Sequence, residues 1–484
     1  MKTFITAALA GLTLASAALA EDPRIHVAHL QPPRSGLSPL SDDAFKLSRW
    51  STAETLIRLD KAGTPQPFLA TAWERLDTNT WRFEIREGVK FHDGTDLTAE
   101  RVAASLTAAN EAVPRPRILD GVEMSIEVDG NAVIVRTADD DPLVPNRLSS
   151  PQMAILAERA YGENGVVVPT GAGTGPFELT EINGVTSAHL DRFEDYWGER
   201  AKLSGIDADY VGDGTARGAA LRTGTAQAVE AVPVSQAALI DPALIHEVPM
   251  PRTNTLYVNT ETGPLTDPAL RSAVREAIDR AAIVRTVYEG RADEAKGLLG
   301  PALPWADGLR TEIDFPEAAN PAGTQITLGT FTDRAELPEV AVLVAQALTQ
   351  AGFEVEQDVR EYAHIEADML AGKFDVFILS RATVLDSGDP VSYMVSDFSC
   401  EGSFNISQLC DEGVDAALEK AARTEPGEAR QKAIIEAEAA ILATGAAVPM
   451  LHERVIQGEA PGVSGAVRDP RERVLITEHT TLSE

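Results

Sequence analysis

The sequence predicts an α/β protein of two lobes built on mixed sheets. Three observations carry that prediction. The chain has 484 residues, more than one hydrophobic core serves, so two or three domains are expected. In the second half, strand-like and helix-like stretches alternate as TQITLGTF, PEVAVLVAQALTQAG, FEVEQDV and KFDVFILS, an order that builds parallel strands covered by helices. Strand-like segments near 254–259 and 447–451 bracket that half, so the chain is expected to cross between the lobes twice. Two crossings let one lobe hinge over the other, and the cleft between them is a natural small-ligand site.

Composition narrows the function. Hydrophobic residues make up 44% and charged residues 24%, as in an ordinary globular protein. The formal net charge is −32, and such a surface repels phosphate backbones, so no nucleic-acid partner is expected. The chain starts MKTFITAALAGLTLASAALA: Lys2, an apolar run over 4–14, then the small-x-small pattern Ala18-Leu19-Ala20. That reads as a cleavable signal peptide over 1–20, with the mature chain starting at Glu21. No Cys lies at the cleavage point, so no lipid anchor is indicated, and no later segment reaches the roughly 18 continuous apolar residues of a membrane span. An exported, soluble, periplasmic monomer without a cofactor is expected.

The elements follow in order. IHVAHL alternates as a first strand; Pro32, Pro33 and Pro39 mark irregular chain; 45–59 reads as a helix ending in the turn Lys61-Ala62-Gly63. In WRFEIREGVKFHDGTDLTAERVAAS, Trp81, Phe83 and Ile85 alternate with charged residues as a half-buried strand. His92-Asp93-Gly94 reads as a tight turn with a solvated imidazole. A catalytic His-Asp couple is disfavoured because the adjacent residues face apart and no third partner is near. Thr98 is placed as an N-cap, with Leu97 and Val102 as its staple. MSIEVDGNAVIVRT (124–137) is a hairpin turning at Asp129-Gly130-Asn131. The glycines of PTGAGTGPFEL lead through Pro176 into a strand, which excludes a phosphate loop at a helix N-terminus. SAHLDRF is another strand, and Tyr196-Trp197-Gly198 an aromatic plug.

Further along, 256–259 is a strand, and Asp267 caps a helix with Pro268 at its first position and Leu270, Val274 and Ile278 as its buried stripe. VDAALEKAARTE and EARQKAIIEAEAAILATG are helices, and AVPMLHERVIQG returns as a strand. Cys400 and Cys410 enclose EGSFNISQL. In an oxidising compartment a disulfide is favoured over two free thiols, and a metal pair ranks last for want of closer spacing and further ligands.

Several of these stretches resemble one family. LATAWERLDTNTWRFEIREGVKFHDGTDLTAERV is similar to the signature region of the extracellular solute-binding proteins of the peptide/nickel class, which feed ABC importers. GTGPFEL, YWG, LYVNT…DPALRSAVREAIDR and DSGDP resemble further landmarks in the same order, over nearly the whole mature chain. The resemblance implies a two-lobed periplasmic-binding-protein fold (type II-like) with an extra N-terminal subdomain. Lobe I would span 21–253 with the subdomain at roughly 45–180, lobe II 254–447, and 448–484 would return to lobe I. It also implies a cleft binder with no chemistry of its own, delivering a peptide or other small solute to the permease subunits.

For the ligand, the Cys pair following GDPVSYMVSDFSC resembles the dipeptide-binding branch. There a carboxylate just before Gly-Asp-Pro holds the peptide ammonium, which implies that role for Asp386. An arginine before a helix of the second lobe grips the peptide carboxylate, which implies that role for Arg334. Opposed charges across a dry cleft read both ends of a zwitterion. The nickel branch is the alternative, for a metal chelate or opine-like ligand, and the departures weigh against a close copy of its site. RATVLDS holds no tryptophan, the expected histidine position falls near Glu401-Gly402, and the arginine expected near LSSPQMAI is replaced, with Arg147 nearest. His26 and His29, three apart on a strand, face opposite sides and are read as packing or surface groups. An exported hydrolase is the rival from another class, but Gly-x-Ser-x-Gly, His-Glu-x-x-His and a well-placed Ser-x-x-Lys are missing.

Overall fold

The computed structural model describes residues 22–162, 165–384 and 387–483. The expected leader, and Glu21 with it, lies outside the described residues. One mixed sheet of eleven strands runs through the molecule among these residues. Its lobe II side holds Glu354–Arg360, Gln325–Phe331 and Val376–Ala382 as parallel neighbours, the β-α-β series read from the sequence. Between the first two runs the helix Glu336–Ala351, stopped by Gly352 in the left-handed region. Its Leu337, Val340, Val344 and Leu348 are buried against the sheet.

Two long strands, Ile245–Val258 and Ala447–Glu459, join the halves. At 14 and 13 residues they are more than twice the common strand length of about 5–6. They pair antiparallel with each other, and the register slips between Pro249 and Thr253. Such a slip bends a strand and re-aims its side chains. The segments 254–259 and 447–451 lie at the lobe II ends of these strands. On the far side the sheet continues through Ala228–Val229, Arg24–His29, Gly205–Tyr210, Ser187–Arg192 and Phe177–Asn183. Two hydrophobic cores result, one around Leu256, Val340 and Phe377, the other around Trp50, Phe83 and Leu190.

A separate four-stranded antiparallel sheet carries Ala70–Asp77, Thr80–Ile85, Ala132–Thr137 and Met124–Asp129, so the strand at Trp81–Ile85 and the hairpin over 124–137 form as read. The helix Ala99–Glu111 packs on it, and the Thr98 side chain accepts from the Arg101 N–H. No helix among the described residues is long and apolar enough to cross a membrane.

Two local expectations are corrected. The helix read over 45–59 is only Ala44–Arg49; Ser51 turns the chain at φ +51°, and Ile57–Leu59 pairs as a strand with Pro65–Pro67. The cause is Glu54, whose side chain is drawn inward. It accepts from Thr174 Oγ1 at 2.7 Å, Trp197 Nε1 at 2.9 Å and Tyr196 Oη at 3.0 Å. Burial pushes its carboxyl up to about 7, against the pull of those three neutral donors.

The second correction is His92, which is 8% exposed rather than solvated. Its Nε2 lies 2.9 Å from the Gly175 carbonyl, and its ring meets Phe193 edge-on at 4.8 Å. Burial pushes its pKa down to about 4. The glycine-rich turn makes the enclosure: a Cβ on Gly173 or Gly175 would lie 1.9 or 1.8 Å from the Thr52 or Ser51 carbonyl oxygen. Those glycines serve close backbone packing, not phosphate.

Candidate ligand-binding cleft

A cavity of about 1430 Å³ opens between the lobes, larger than the roughly 300–1,000 Å³ of a typical small-molecule pocket. Lobe I supplies Arg34 and Arg49, lobe II Phe331, Arg334, Tyr362 and Arg381, the first crossing strand Arg252, and the C-terminal segment Glu472. Topology explains the convergence. The strands Arg24–His29, Gln325–Phe331 and Val376–Ala382 all reach the cleft at their carboxyl ends, where open α/β sheets collect ligands. The lobes also touch beside the cavity: Asn146 Nδ2 donates to the Ser387 carbonyl at 2.9 Å, and Arg75 pairs with Glu425.

Arg334 lies in the cleft, in the loop between the strand Gln325–Phe331 and the helix Glu336–Ala351. Its Nη1 donates to Glu453 at 3.0 Å, and its side chain is 32% exposed. Asp386 lies outside the described residues. Its neighbours Ser387 and Asp389 line the cavity, with Asp389 held by a two-pronged bond from Arg430 at 2.7 and 3.0 Å. Cys400 and Cys410 are disulfide-bonded, and the loop they close sends Glu401–Phe404 to the cleft wall. Arg147 also reaches the wall but is pinned to Asp141 at 2.6 Å. His26 is on the surface beside Asp207, and His29 is buried, with Trp50 Nε1 donating to its Nε2 at 2.7 Å. Among the described residues no group of three or more His, Cys, Asp or Glu side chains is arranged to hold a metal ion.

Four cleft residues escaped the sequence reading. Arg381, next to last in the strand Val376–Ala382, bonds Asp397 at 2.7 and 2.8 Å, and stacks over Phe404 at 4.3 Å. An arginine near the end of an apolar parallel strand was a readable signal. Glu230 faces Arg49 at 2.9 Å and His29 Nδ1 at 3.1 Å. Burial alone would raise its carboxyl; the Arg49 charge, with the His29 ring beside it, overturns that and holds it well below the usual carboxylate range. Arg252 sits where the crossing strand slips register, and Glu472 on a loop near the C-terminus. Neither carries a local pattern that marks it.

Comparison with known proteins places this geometry. The model of the bacterial extracellular solute-binding proteins, family 5 (middle region), matches residues 64–405. A glutathione-binding protein, GsiB of Escherichia coli strain K12, is 28% identical over 320 residues, covering 62% of this chain and 62% of that protein. The alignment thus spans less than two thirds of that relative's length. Among solved structures, NikA from Brucella suis in complex with Fe(III)-EDTA superposes with a TM-score of 0.81 at 21% identity, covering 96% of this chain and 100% of that one. A dipeptide-binding protein from Pseudoalteromonas sp. SM9913 in complex with Met-Leu superposes at 0.79 with 19% identity, covering 95% and 100%. These likenesses show the two-lobed periplasmic-binding-protein fold.

Proposed function

Because this chain belongs to the bacterial extracellular solute-binding proteins, family 5, we propose that it captures a di- or oligopeptide between its lobes and delivers it, unaltered, to the permease of an ABC import system. The observation that carries the reading is the interlobe cavity itself, roomy enough for a peptide and walled by charged side chains from both lobes and from a crossing strand. Arg334 would receive the peptide carboxylate. Asp386, beside cleft-lining Ser387, would receive the ammonium. The aromatic groups Phe331, Tyr362 and Phe404 would flank side chains. The likeness to a glutathione-binding protein supports a short peptide.

The lobes would close over the solute by bending at Pro249–Thr253, where the crossing strands lose register. Closure excludes water and presents a joined surface to the permease. Export by the leader 1–20, a periplasmic location and a monomeric state complete the proposal; the −32 charge supports the absence of a nucleic-acid partner. Calorimetric titration with a panel of di- and tripeptides that includes glutathione, joined to small-angle scattering, is the test. Saturable binding, a smaller radius of gyration at saturation and intact peptide on recovery are expected. Unchanged dimensions, cleaved peptide, or no binding across the panel would contradict it.

A further inference from the structure

We infer that Arg252 and Arg334 form the seat of a solute carboxylate, and that the Glu472 side chain competes for that seat at Arg252. The inference rests on the reading of the cleft as the solute site, and it adds a residue from the hinge strand and a built-in competitor.

Arg252 is the under-satisfied group. Its side chain is 17% exposed. Its Nε is buried with no hydrogen-bond partner, and its contact with Glu472 Oε2 is 3.4 Å long. A charge-assisted bond between such groups usually closes to about 2.7–2.9 Å. A guanidinium carries five donors, so most of those on Arg252 have no partner among the described residues. Arg334 approaches from lobe II with a single side-chain partner, Glu453. The two cations are near enough to feel each other: burial and then the Arg334 charge lower the pKa of Arg252. Two cations this close, one of them short of partners, favour the arrival of a further anion.

Glu472 is held more loosely than Glu230, Asp141 and Asp389, which line the same cavity and each have an arginine within 2.6–2.9 Å. Glu472 lies 3.4 Å from Arg252 and 3.8 Å from Arg49. Its backbone is in the left-handed region at φ +56°, unfavourable for a non-glycine residue, in a turn closed by its own N–H on the Asp469 carbonyl at 3.0 Å. The Glu472 carbonyl, accepting from Arg49 Nε at 2.8 Å, anchors the turn independently of the carboxylate. The side chain is therefore free to leave while the loop stays. A solute carboxylate entering from the cleft would take its place at Arg252 and reach Arg334 as well.

The test is calorimetric titration of the full chain with N-acetylglycine and with N-acetylglycinamide, which lacks the charge. N-acetylglycine should bind the wild type, and the amide at least ten-fold more weakly, a difference of about 1.4 kcal/mol. Glu472→Gln should tighten the acid about ten-fold and leave the amide unchanged; Arg252→Gln should weaken the acid by a similar factor. Arg252→Lys, which keeps the charge without the fork, should fall between and guards against misfolding. Equal binding of acid and amide, weaker acid binding by Glu472→Gln, or no saturable acid binding would overturn the inference. The peptide panel separates the two readings. Acid responses without peptide binding would sink the peptide solute and keep the seat. Peptide binding indifferent to Arg252, Glu472 and C-terminal amidation would sink the seat and keep the solute.

Discussion

Glu54, buried in lobe I, and Glu230, 15% exposed at the cleft, are glutamates of one lobe with opposite electrostatics. Glu54 sits in the scaffold among neutral donors, Thr174, Tyr196 and Trp197, and its carboxyl is pushed up to about 7. Glu230 sits at the cleft against Arg49 and His29 and stays ionised far into acid. Burial acts on both, and the neighbours decide the sign. The scaffold tolerates a carboxyl because it can hold it as a neutral acid. At the cleft Glu230 is instead a charge held in place by Arg49.

Removing a charge from the cleft side should have the largest effect. Glu230→Gln leaves Arg49 and His29 facing an amide, and breaking such a buried pair costs about 3–5 kcal/mol. Denaturant unfolding at neutral pH reads it directly; a loss under about 1 kcal/mol would mean that Glu472 and solvent already satisfy Arg49.

The scaffold side should respond to pH rather than to loss of charge. The folded pKa of Glu54 lies above its unfolded value of 4.5, so the native state holds the proton longer. Its favourable contribution is complete below about pH 4.5 and is lost as pH rises to about 7, in total about 3 kcal/mol. Glu54→Gln keeps the neutral form, with Oε1 accepting from Trp197 and Thr174 and Nε2 donating to Tyr196. Its stability at pH 4.5 should match the wild type within about 1 kcal/mol and exceed it by about 3 kcal/mol at pH 8. A constant difference across that range would break the contrast between the two glutamates. His92 and His452 shift the other way, each down to about 4. Each stays neutral when buried, so its contribution is full above about pH 6.5 and lost as pH falls through 4. The Glu54→Gln background should show that acid limb without the Glu54 contribution laid over it.

Smaller effects sharpen the picture. Reducing the Cys400–Cys410 disulfide opens a short loop and should cost roughly 3 kcal/mol or less, measured as a fall in unfolding midpoint with reductant. Tyr196→Phe removes one of three donors to Glu54 and should cost about 1 kcal/mol below pH 7, with the Glu54 pKa moving further up.

The architecture was legible because it rests on periodicity. The alternation of Trp81, Phe83 and Ile85, the β-α-β order after Gln325 and the Asp267-Pro268 helix start are local patterns, and the chain follows them. His92 was misread because its burial depends on glycines some eighty residues later. The helix over 45–59 failed for a similar reason, since Glu54 turns inward to partners at 174, 196 and 197. Arg334 was singled out only through the family resemblance, which implies an arginine before a helix of the second lobe. Arg252 was not, because its standing comes from a register slip between two strands some two hundred residues apart and from a loop near the C-terminus.

The most direct measurement is native mass spectrometry of the protein recovered from cells without denaturation, wild type beside a variant carrying Arg252→Gln and Arg334→Gln. One small carboxylate-bearing solute per chain, released intact on unfolding and missing from the variant, is the expected result. A solute retained equally by the variant, or recovered as fragments, would contradict a cleft that captures its ligand through those two arginines and leaves it unchanged.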